Sequence, residues 1–190
     1  MSESLFEASF VDPAAFGRDW IVTPGMTLRN GVLAFGPAFD AGRCAAITRR
    51  NDFSDFAITA DVRIVSGAAG LVLRAAAPDK CYMVQFDLAN DPAVVWFHTF
   101  SPSAYDGYRL ELVRTALVPK LAARYRMKVV VRGYAFDVFL AEFGGTLQHC
   151  ASWQDREQTY RQGAVGVWAH GGEASEYRAL RVEALPAADA

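Results

Sequence analysis

The chain has 190 residues, a formal net charge of -2, an apolar fraction of 52% and an aromatic fraction of 13%. A near-neutral chain without basic clusters is a poor binder of nucleic acid or of an anionic membrane surface. No apolar run is long enough to span a bilayer, and the first residues lack the pattern of a secretory signal, so we expect a cytoplasmic protein.

The length fits one domain that buries about 70% of its unfolded surface. We predict a single domain over residues 1–185, followed by a frayed tail at residues 186–190. The three cysteines are Cys44, Cys81 and Cys150. Their odd number and wide spacing, without a CxxC pair, favour reduced and mostly buried thiols over a metal ribbon or a redox motif.

Alternation of apolar and polar residues with a period of two dominates the chain and predicts strands. One helical turn is expected within Asp12–Asp19, and Asp106–Arg124 fits either a strand followed by a loop or a short helix that ends near Pro119. In chain order, the predicted strands are Trp20–Val22, Leu28–Arg29, Val32–Phe35, Ala45–Arg49, Phe56–Val65, Gly70–Arg74, Tyr82–Leu88, Val94–Phe100, Met127–Arg132, Ala135–Ala141, Ala164–Ala169 and Tyr177–Leu185.

Turn signals separate these strands. Asn30-Gly31 and Gly133-Tyr134 predict tight hairpin turns, and other Gly and Pro residues fall between the remaining strands. The chain lacks the repeated alternation of strands and helices that a parallel sheet requires. The pattern therefore predicts an all-β fold, a sandwich of two antiparallel sheets.

Polar residues interrupt the apolar hairpin Gly70–Leu88. If Leu73 pairs with Val84, the apolar residues of both strands point into the core. The opposite face of the hairpin then carries Arg74, Gln85 and Asp87. On the next strand, Val95 and Phe97 belong to the core, so Trp96 and His98 join the same outer face. The alternation thus predicts one patch made of an arginine, an amide, a carboxylate, an indole and an imidazole.

This patch has the chemistry of a saccharide site. Asp, Gln and Arg offer hydrogen-bond acceptors and donors in fixed directions, and a Trp ring offers a flat face for sugar C–H groups. A solvated face with an ordinary ion pair is the simpler alternative. Two further residues, Asp137 and His170, are candidates for substrate binding. Asp137 joins the patch only if its strand lies in the same sheet.

The block DFAITADVRIVSGAAGLVLRAAAPDKCYMVQFDL resembles the 3-keto-disaccharide hydrolase domain family, which has a concanavalin A-like jelly-roll fold. The family has a strand that ends in arginine and a Tyr-Glu-Val-Gln-type strand that ends in Asp, which correspond here to Arg74, Tyr82–Gln85 and Asp87. The resemblance continues in three further segments, DWIVTPGMTLRNGVLAF, RMKVVVRGYAFDVFLA and GAVGVWAHGGEASEYRALRVEAL. Lectin-like and laminin-G-like domains share much of this pattern.

The sequence departs from the family at several positions. Met83 stands where the family often has glutamate, Ala68-Ala69 where an asparagine commonly precedes the glycine, and Arg124-Tyr125 where Trp-Asn is usual. The lost carboxylate weakens the inference of an enzyme more than that of the fold. The resemblance implies a carbohydrate-related groove on a concanavalin A-like sandwich.

Three functions stay open. The first is a carbohydrate-binding, lectin-like sandwich, and the second is a hydrolase or lyase that acts on 3-keto-glycosides. The second would use Asp87 and His98 as catalytic groups, because a histidine can act as a base near neutral pH. The third is a protein-interaction sandwich with Trp96 buried under another chain.

No cofactor is expected. Calcium bound by Asp87, Asn90 and Asp91 is a minor alternative, because oxygen ligands of loops often bind this ion. Trp153-Gln154-Asp155 is expected in a loop near a sheet edge, with Trp153 and Trp168 packed in the core. The oligomeric state is left open.

Overall fold

Two antiparallel β-sheets stack face to face in the computed structural model, which describes residues 3–36, 43–89, 92–101, 108–115 and 120–185, with the backbone alone for 108–111. The first sheet, sheet I, has the strand order β13-β12-β11-β6-β15-β4-β3, and β1 pairs with β15 outside this path. Its strands are β1 (Ser4–Ala8), β3 (Met26–Arg29), β4 (Val32–Phe35), β6 (Phe56–Ser66), β11 (Arg124–Arg132), β12 (Ala135–Glu142), β13 (Gln148–Gln154) and β15 (Ala174–Ala184).

The second sheet, sheet II, has the strand order β10-β9-β8-β7-β14-β5-β2. Its strands are β2 (Trp20–Val22), β5 (Arg43–Thr48), β7 (Ala68–Ala77), β8 (Lys80–Asp87), β9 (Val94–Phe100), β10 (Tyr108–Arg114) and β14 (Ala164–His170). The described residues form one α-helix, α1 (Pro13–Asp19), which begins at the N-cap Asp12. No helix in these described ranges is long and apolar enough to cross a membrane.

The all-β prediction is confirmed, and the alternation along β6 shows why. Phe56, Ile58 and Ile64 are fully buried between the sheets, while Thr59 and Asp61 lie on the outer face of sheet I and are half-buried. The two predicted hairpin turns also form, with positive φ at Gly31 and Gly133. Burial of such alternating apolar side chains is the main favourable contribution to folding.

Sheet II is buried on both faces over the middle of its strands. Its outer face carries a second apolar layer, separate from the core between the sheets. The members of this layer are Ala45, Ile47, Val72, Ala75, Cys81, Met83, Phe100, Ala164 and Trp168. This double burial accounts for the continuous apolar run AVGVWA in β14, since a strand buried on both faces does not alternate.

One side chain joins the two sheets through polar contacts. Tyr177 on β15 is fully buried, and its hydroxyl accepts a hydrogen bond from Gly70 N (3.0 Å) and donates one to Gly70 O (2.9 Å). Burial raises the pKa of Tyr177, so the hydroxyl stays neutral. Gly70 suits this place, because a Cβ there would meet Met83 Sδ at 3.1 Å and Trp168 O at 3.3 Å.

Two strands have no counterpart among the predictions. β1 follows the N terminus and pairs with β15, and β13 is an edge strand beside β12, with an irregular register. Trp153 and Gln154 belong to β13, so their expected placement in a loop is wrong, although Trp153 does pack against the core. Neither strand alternates clearly, because a register irregularity interrupts the pairing of each.

Two other expectations are settled in the described ranges. Within the segment Asp106–Arg124, β10 (Tyr108–Arg114) is a strand rather than a helix. Cys44 and Cys81 are buried and Cys150 is partly buried, and all three are free thiols, as predicted. Burial raises the pKa of Cys81 to about 12 and that of Cys44 to about 11, with Glu173 adding to the effect on Cys44. The predicted frayed tail at residues 186–190 lies outside the described residues.

We expect Tyr177→Phe to lower the free energy of unfolding by about 1–3 kcal/mol, because it leaves the buried amide and carbonyl of Gly70 without this partner. Urea denaturation followed by tryptophan fluorescence measures the change. Tyr134→Phe is the matched control, since the Tyr134 hydroxyl makes no hydrogen bond within the described residues. Equal stabilities of the two variants would show that the bridge between the sheets contributes nothing.

Candidate functional site

The register of β7, β8 and β9 places Gln85, Asp87, Trp96 and His98, four of the five predicted patch residues, on the outer face of sheet II. Gln85 lies between Gly70 and Trp96 in one row across the three strands. The pairing expected for Leu73 is wrong by two residues, since Leu73 faces Tyr82 and Val84 faces Leu71. A shift by an even number of residues leaves every side chain on its predicted face.

Asp87 holds the indole of Trp96 in place. One carboxylate oxygen accepts a hydrogen bond from Trp96 Nε1 (3.2 Å), and the other accepts one from the backbone N–H of Ala89 (2.8 Å). Both Asp87 and Trp96 are half-buried. The arrangement presents an oriented carboxylate beside an aromatic ring at the end of the sheet where β8 and β9 connect.

Glu173 completes this end of the sheet, and no pattern in the sequence points to it directly. Its carboxylate accepts hydrogen bonds from Gln85 Nε2 and from the backbone N–H of His170 (2.8 Å). Burial raises the pKa of Glu173, and the nearby carboxylate of Asp87 adds to the rise. Glu173 lies in the turn between β14 and β15, where strand alternation cannot place a side chain. The Gly-Gly pair before it, which marks a tight turn, is the only local hint.

His98 lies deeper on the same face. Its ring stacks on Phe100 with centroids 5.5 Å apart, and its Nε2 atom is buried and has no hydrogen-bond partner among the described residues. Burial, reinforced by the positive charge of Arg43, lowers the pKa of His98 to about 4. The imidazole is therefore neutral at physiological pH.

The two predicted catalytic residues, Asp87 and His98, are far apart along the ladder. Asp87 pairs with Val94, and His98 follows Val94 by four residues on β9. Four residues of strand span about 13 Å. This geometry does not bring Asp87 and His98 to one scissile bond, whereas Asp87, Gln85, Trp96, Glu173 and His170 meet at one end of the sheet.

The predicted place of Arg74 on this face is wrong. Arg74 has a left-handed backbone conformation (φ 49°) within a register irregularity of β7, so the alternation is broken there. Its guanidinium is fully buried and donates to Ser54 O (2.8 Å), Tyr160 O (3.1 Å) and Asp55 Oδ1 (3.1 Å). Burial lowers the pKa of Arg74. Arg74 thus ties loops together at the other end of the sandwich and is not part of the patch.

Asp137 is also outside the patch. Its strand, β12, belongs to sheet I, so the condition for its joining the patch fails. The Asp137 carboxylate accepts a hydrogen bond from Ser152 Oγ (2.6 Å) and lies 3.5 Å from His149 Nε2. His170, in contrast, lies at the exposed end of β14 and contacts the site through Glu173.

The calcium alternative involves residues that are only partly described. Asn90 and Asp91 lie outside the described residues, and Asp87 already receives the two hydrogen bonds given above. Across the described ranges, no group of three or more His, Cys, Asp or Glu side chains is arranged to hold a metal ion.

The two sheets and their strand order place the chain in the class of concanavalin A-like jelly rolls. The carbohydrate-binding module CBM66 from Bacillus subtilis superposes with a TM-score of 0.69 and 16% identity, over 87% of this chain and 96% of that one. Winged bean acidic lectin, solved with methyl-α-D-galactose, gives a TM-score of 0.68 and 13% identity, over 98% and 100% of the two chains.

A glycosyl hydrolase family protein from Mycobacterium fortuitum gives a TM-score of 0.58 and 13% identity, over 95% of this chain and 99% of that one. No family model matches the sequence, and no curated protein matches it. At these identities, the likenesses define the fold and leave the function to be argued from the site.

The His98 environment predicts a pH-dependent stability. The pKa of His98 in the folded state lies below the ordinary value of 6.5. The stabilisation that the neutral imidazole gives to the folded state is therefore complete above pH 6.5 and is lost as the pH falls from 6.5 towards 4. We expect the free energy of unfolding to fall by up to about 3 kcal/mol over this range from His98 alone. His98→Phe should flatten the dependence, and urea titrations at pH 7.0 and 4.5 measure it.

The exposed His149 provides the control, because His149→Phe should keep the wild-type dependence. The raised pKa of Glu173 changes the stability with pH in the opposite direction. Because Glu173 is present in all three proteins, its effect cancels when their stabilities are compared. Parallel stability curves for the wild type and His98→Phe would refute a buried neutral imidazole.

Proposed function

We propose that the chain is a carbohydrate-binding β-sandwich whose site lies at the end of sheet II formed by Asp87, Gln85, Trp96, Glu173 and His170. The observation that carries the proposal is the Asp87 carboxylate, hydrogen-bonded to the indole of Trp96 and placed beside the linked pair Gln85 and Glu173.

These groups match what a sugar offers. Carboxylate oxygens accept hydrogen bonds from vicinal hydroxyls, and the Gln85 carbonyl and the His170 ring add further polar contacts. Trp96 supplies an apolar surface for the sugar C–H face. Since hydrogen bonds within the protein fix Asp87 and Glu173, little side-chain entropy is lost on binding, which favours affinity.

The fold supports the same conclusion by analogy. The superposable proteins include one named as a carbohydrate-binding module and one solved with a galactoside. One fold hosts many functions, and here the polar and aromatic groups that lie together on one sheet face supply the site itself.

Binding is tested by a glycan array followed by titration calorimetry with the best neutral saccharide. We expect Asp87→Asn and Trp96→Ala each to weaken binding at least tenfold. Trp96→Ala removes the aromatic surface, and an amide at position 87 has one acceptor oxygen in place of the two that bind Trp96 Nε1 and the Ala89 N–H. Asp137→Asn on the opposite sheet is the matched control and should bind like the wild type. Absence of saccharide binding at millimolar concentrations, or equal affinities in all variants, would refute the site.

A second function, hydrolysis of 3-keto-glycosides, is favoured by one specific observation. Glu173 and Asp87 are two carboxyl groups in one site, and the Glu173 pKa is raised by burial and by Asp87. Glycosidases commonly combine a protonated carboxylic acid with a carboxylate. In this reaction Glu173 would donate its proton to the glycosidic oxygen as the bond to the anomeric carbon breaks, and water would supply the new hydroxyl.

This second function predicts turnover of a 3-keto-glycoside with an activity that falls as the pH rises and Glu173 loses its proton. We expect Glu173→Gln to reduce kcat by at least a hundredfold while saccharide binding changes less than tenfold. Release of the reducing sugar is the readout, and Glu176→Gln, on β15 outside the site, is the control. Turnover that is unaffected in Glu173→Gln would refute Glu173 as the acid. No turnover at all would leave binding as the sole function.

A further inference from the structure

A charged groove crosses the outer face of sheet I, on the opposite side of the sandwich from the site described above. It encloses about 390 Å³, within the range of small-molecule sites. Thr59 on β6 and Ala179 on β15 have the short side chains in this groove, while longer charged side chains surround them. The lining residues are Glu7, Thr59, Asp61, Arg126, Lys128, Leu147, Ala179, Arg181 and Glu183.

Two ion pairs order the charged side chains of this groove. Asp61 accepts hydrogen bonds from Arg126 through Nε (2.8 Å) and Nη2 (3.1 Å), and this contact raises the pKa of Arg126. Arg181 Nη2 lies 3.2 Å from Glu183 Oε1. Paired side chains of this kind are oriented before a ligand arrives, and their charges cancel within each pair.

Three lining groups make no polar contact within the described residues: the Lys128 ammonium, the Glu7 carboxylate and the Thr59 hydroxyl. The register places Lys128, Thr59, Arg181 and Glu7 in one row across β11, β6, β15 and β1. Lys128 and Glu7 are therefore three strand spacings apart, about 14 Å between their backbones. The groove therefore has the unpaired positive charge of Lys128 at one side and the unpaired negative charge of Glu7 at the other, with the Thr59 hydroxyl between these two charges.

We infer that this groove binds a saccharide with a single carboxylate, that is, a hexuronate unit. Lys128 pairs with the ligand carboxylate, and the Thr59 hydroxyl and the charged side chains of Arg181 and Asp61 bind the ring hydroxyls. Glu7 opposes a second negative charge on the ligand, so the groove discriminates against polyanions. The inference rests on sheet I alone and is independent of the function proposed for sheet II.

The inference is tested by adding sodium glucuronate, glucose or sodium sulfate to ¹⁵N-labelled protein at low salt. Glucuronate should shift backbone amides of β6, β11 and β15, with an affinity at least tenfold above that of glucose or sulfate. Lys128→Gln should weaken glucuronate binding at least tenfold. The matched control is Lys80→Gln, an exposed lysine on sheet II, which should leave binding unchanged.

Two further variants test the role of Glu7 and the independence of the two sites. Glu7→Gln should raise the affinity for a glucuronate oligomer that carries several carboxylates, and Asp87→Asn should leave glucuronate binding to sheet I intact. Sulfate shifts equal to those of glucuronate would reduce the groove to a general anion site and overturn the inference. Shifts absent from these strands, or unchanged affinity in Lys128→Gln, would overturn it as well.

Discussion

The alternation of side chains along the ladder of β7, β8 and β9 is the constraint on which the candidate site depends. Each residue of an antiparallel strand has its face fixed by its neighbours, and a shift by one residue would turn the whole apolar set outward. Because the core fixes the inner face with Leu71, Val84 and Phe97, it also fixes Gln85 and Trp96 on the outer face. The polar groups are thus positioned by residues that never touch a ligand.

The outer face of sheet II has two parts: a buried apolar part, called the dry part below, which contains Phe100 and Trp168, and a polar end, which contains Asp87 and Glu173. In the dry part, Phe100 and Trp168 bury the imidazole of His98, and burial keeps that ring neutral. At the polar end, Asp87 and Glu173 remain half-buried and hydrogen-bonded. The same low-dielectric surroundings therefore lower the pKa of a histidine and raise that of a carboxylic acid, because burial always disfavours the charged form.

The two sheets carry different chemistry on their outer faces. Sheet II has its apolar layer and a small polar end, while sheet I has ion pairs across neighbouring strands, such as Arg126 with Asp61. Cross-strand pairs of opposite charge stabilise a sheet face that meets water. The register of β11, β6, β15 and β1 thus creates both the pair of Arg126 with Asp61 and the row that carries the unpaired Lys128, Thr59 and Glu7.

Local patterning is enough to predict most of the strands, their faces and the all-β class, because a period of two is a local property that the core enforces residue by residue. It also predicted the shared face of Gln85, Asp87, Trp96 and His98. Other features arise from the three-dimensional fold. Arg74 left the face at a bulge, Glu173 entered from a turn, and β13 formed against a single neighbour. Bulges, turns and edge pairing depend on contacts between residues distant in the chain, and alternation within one strand carries no information about them.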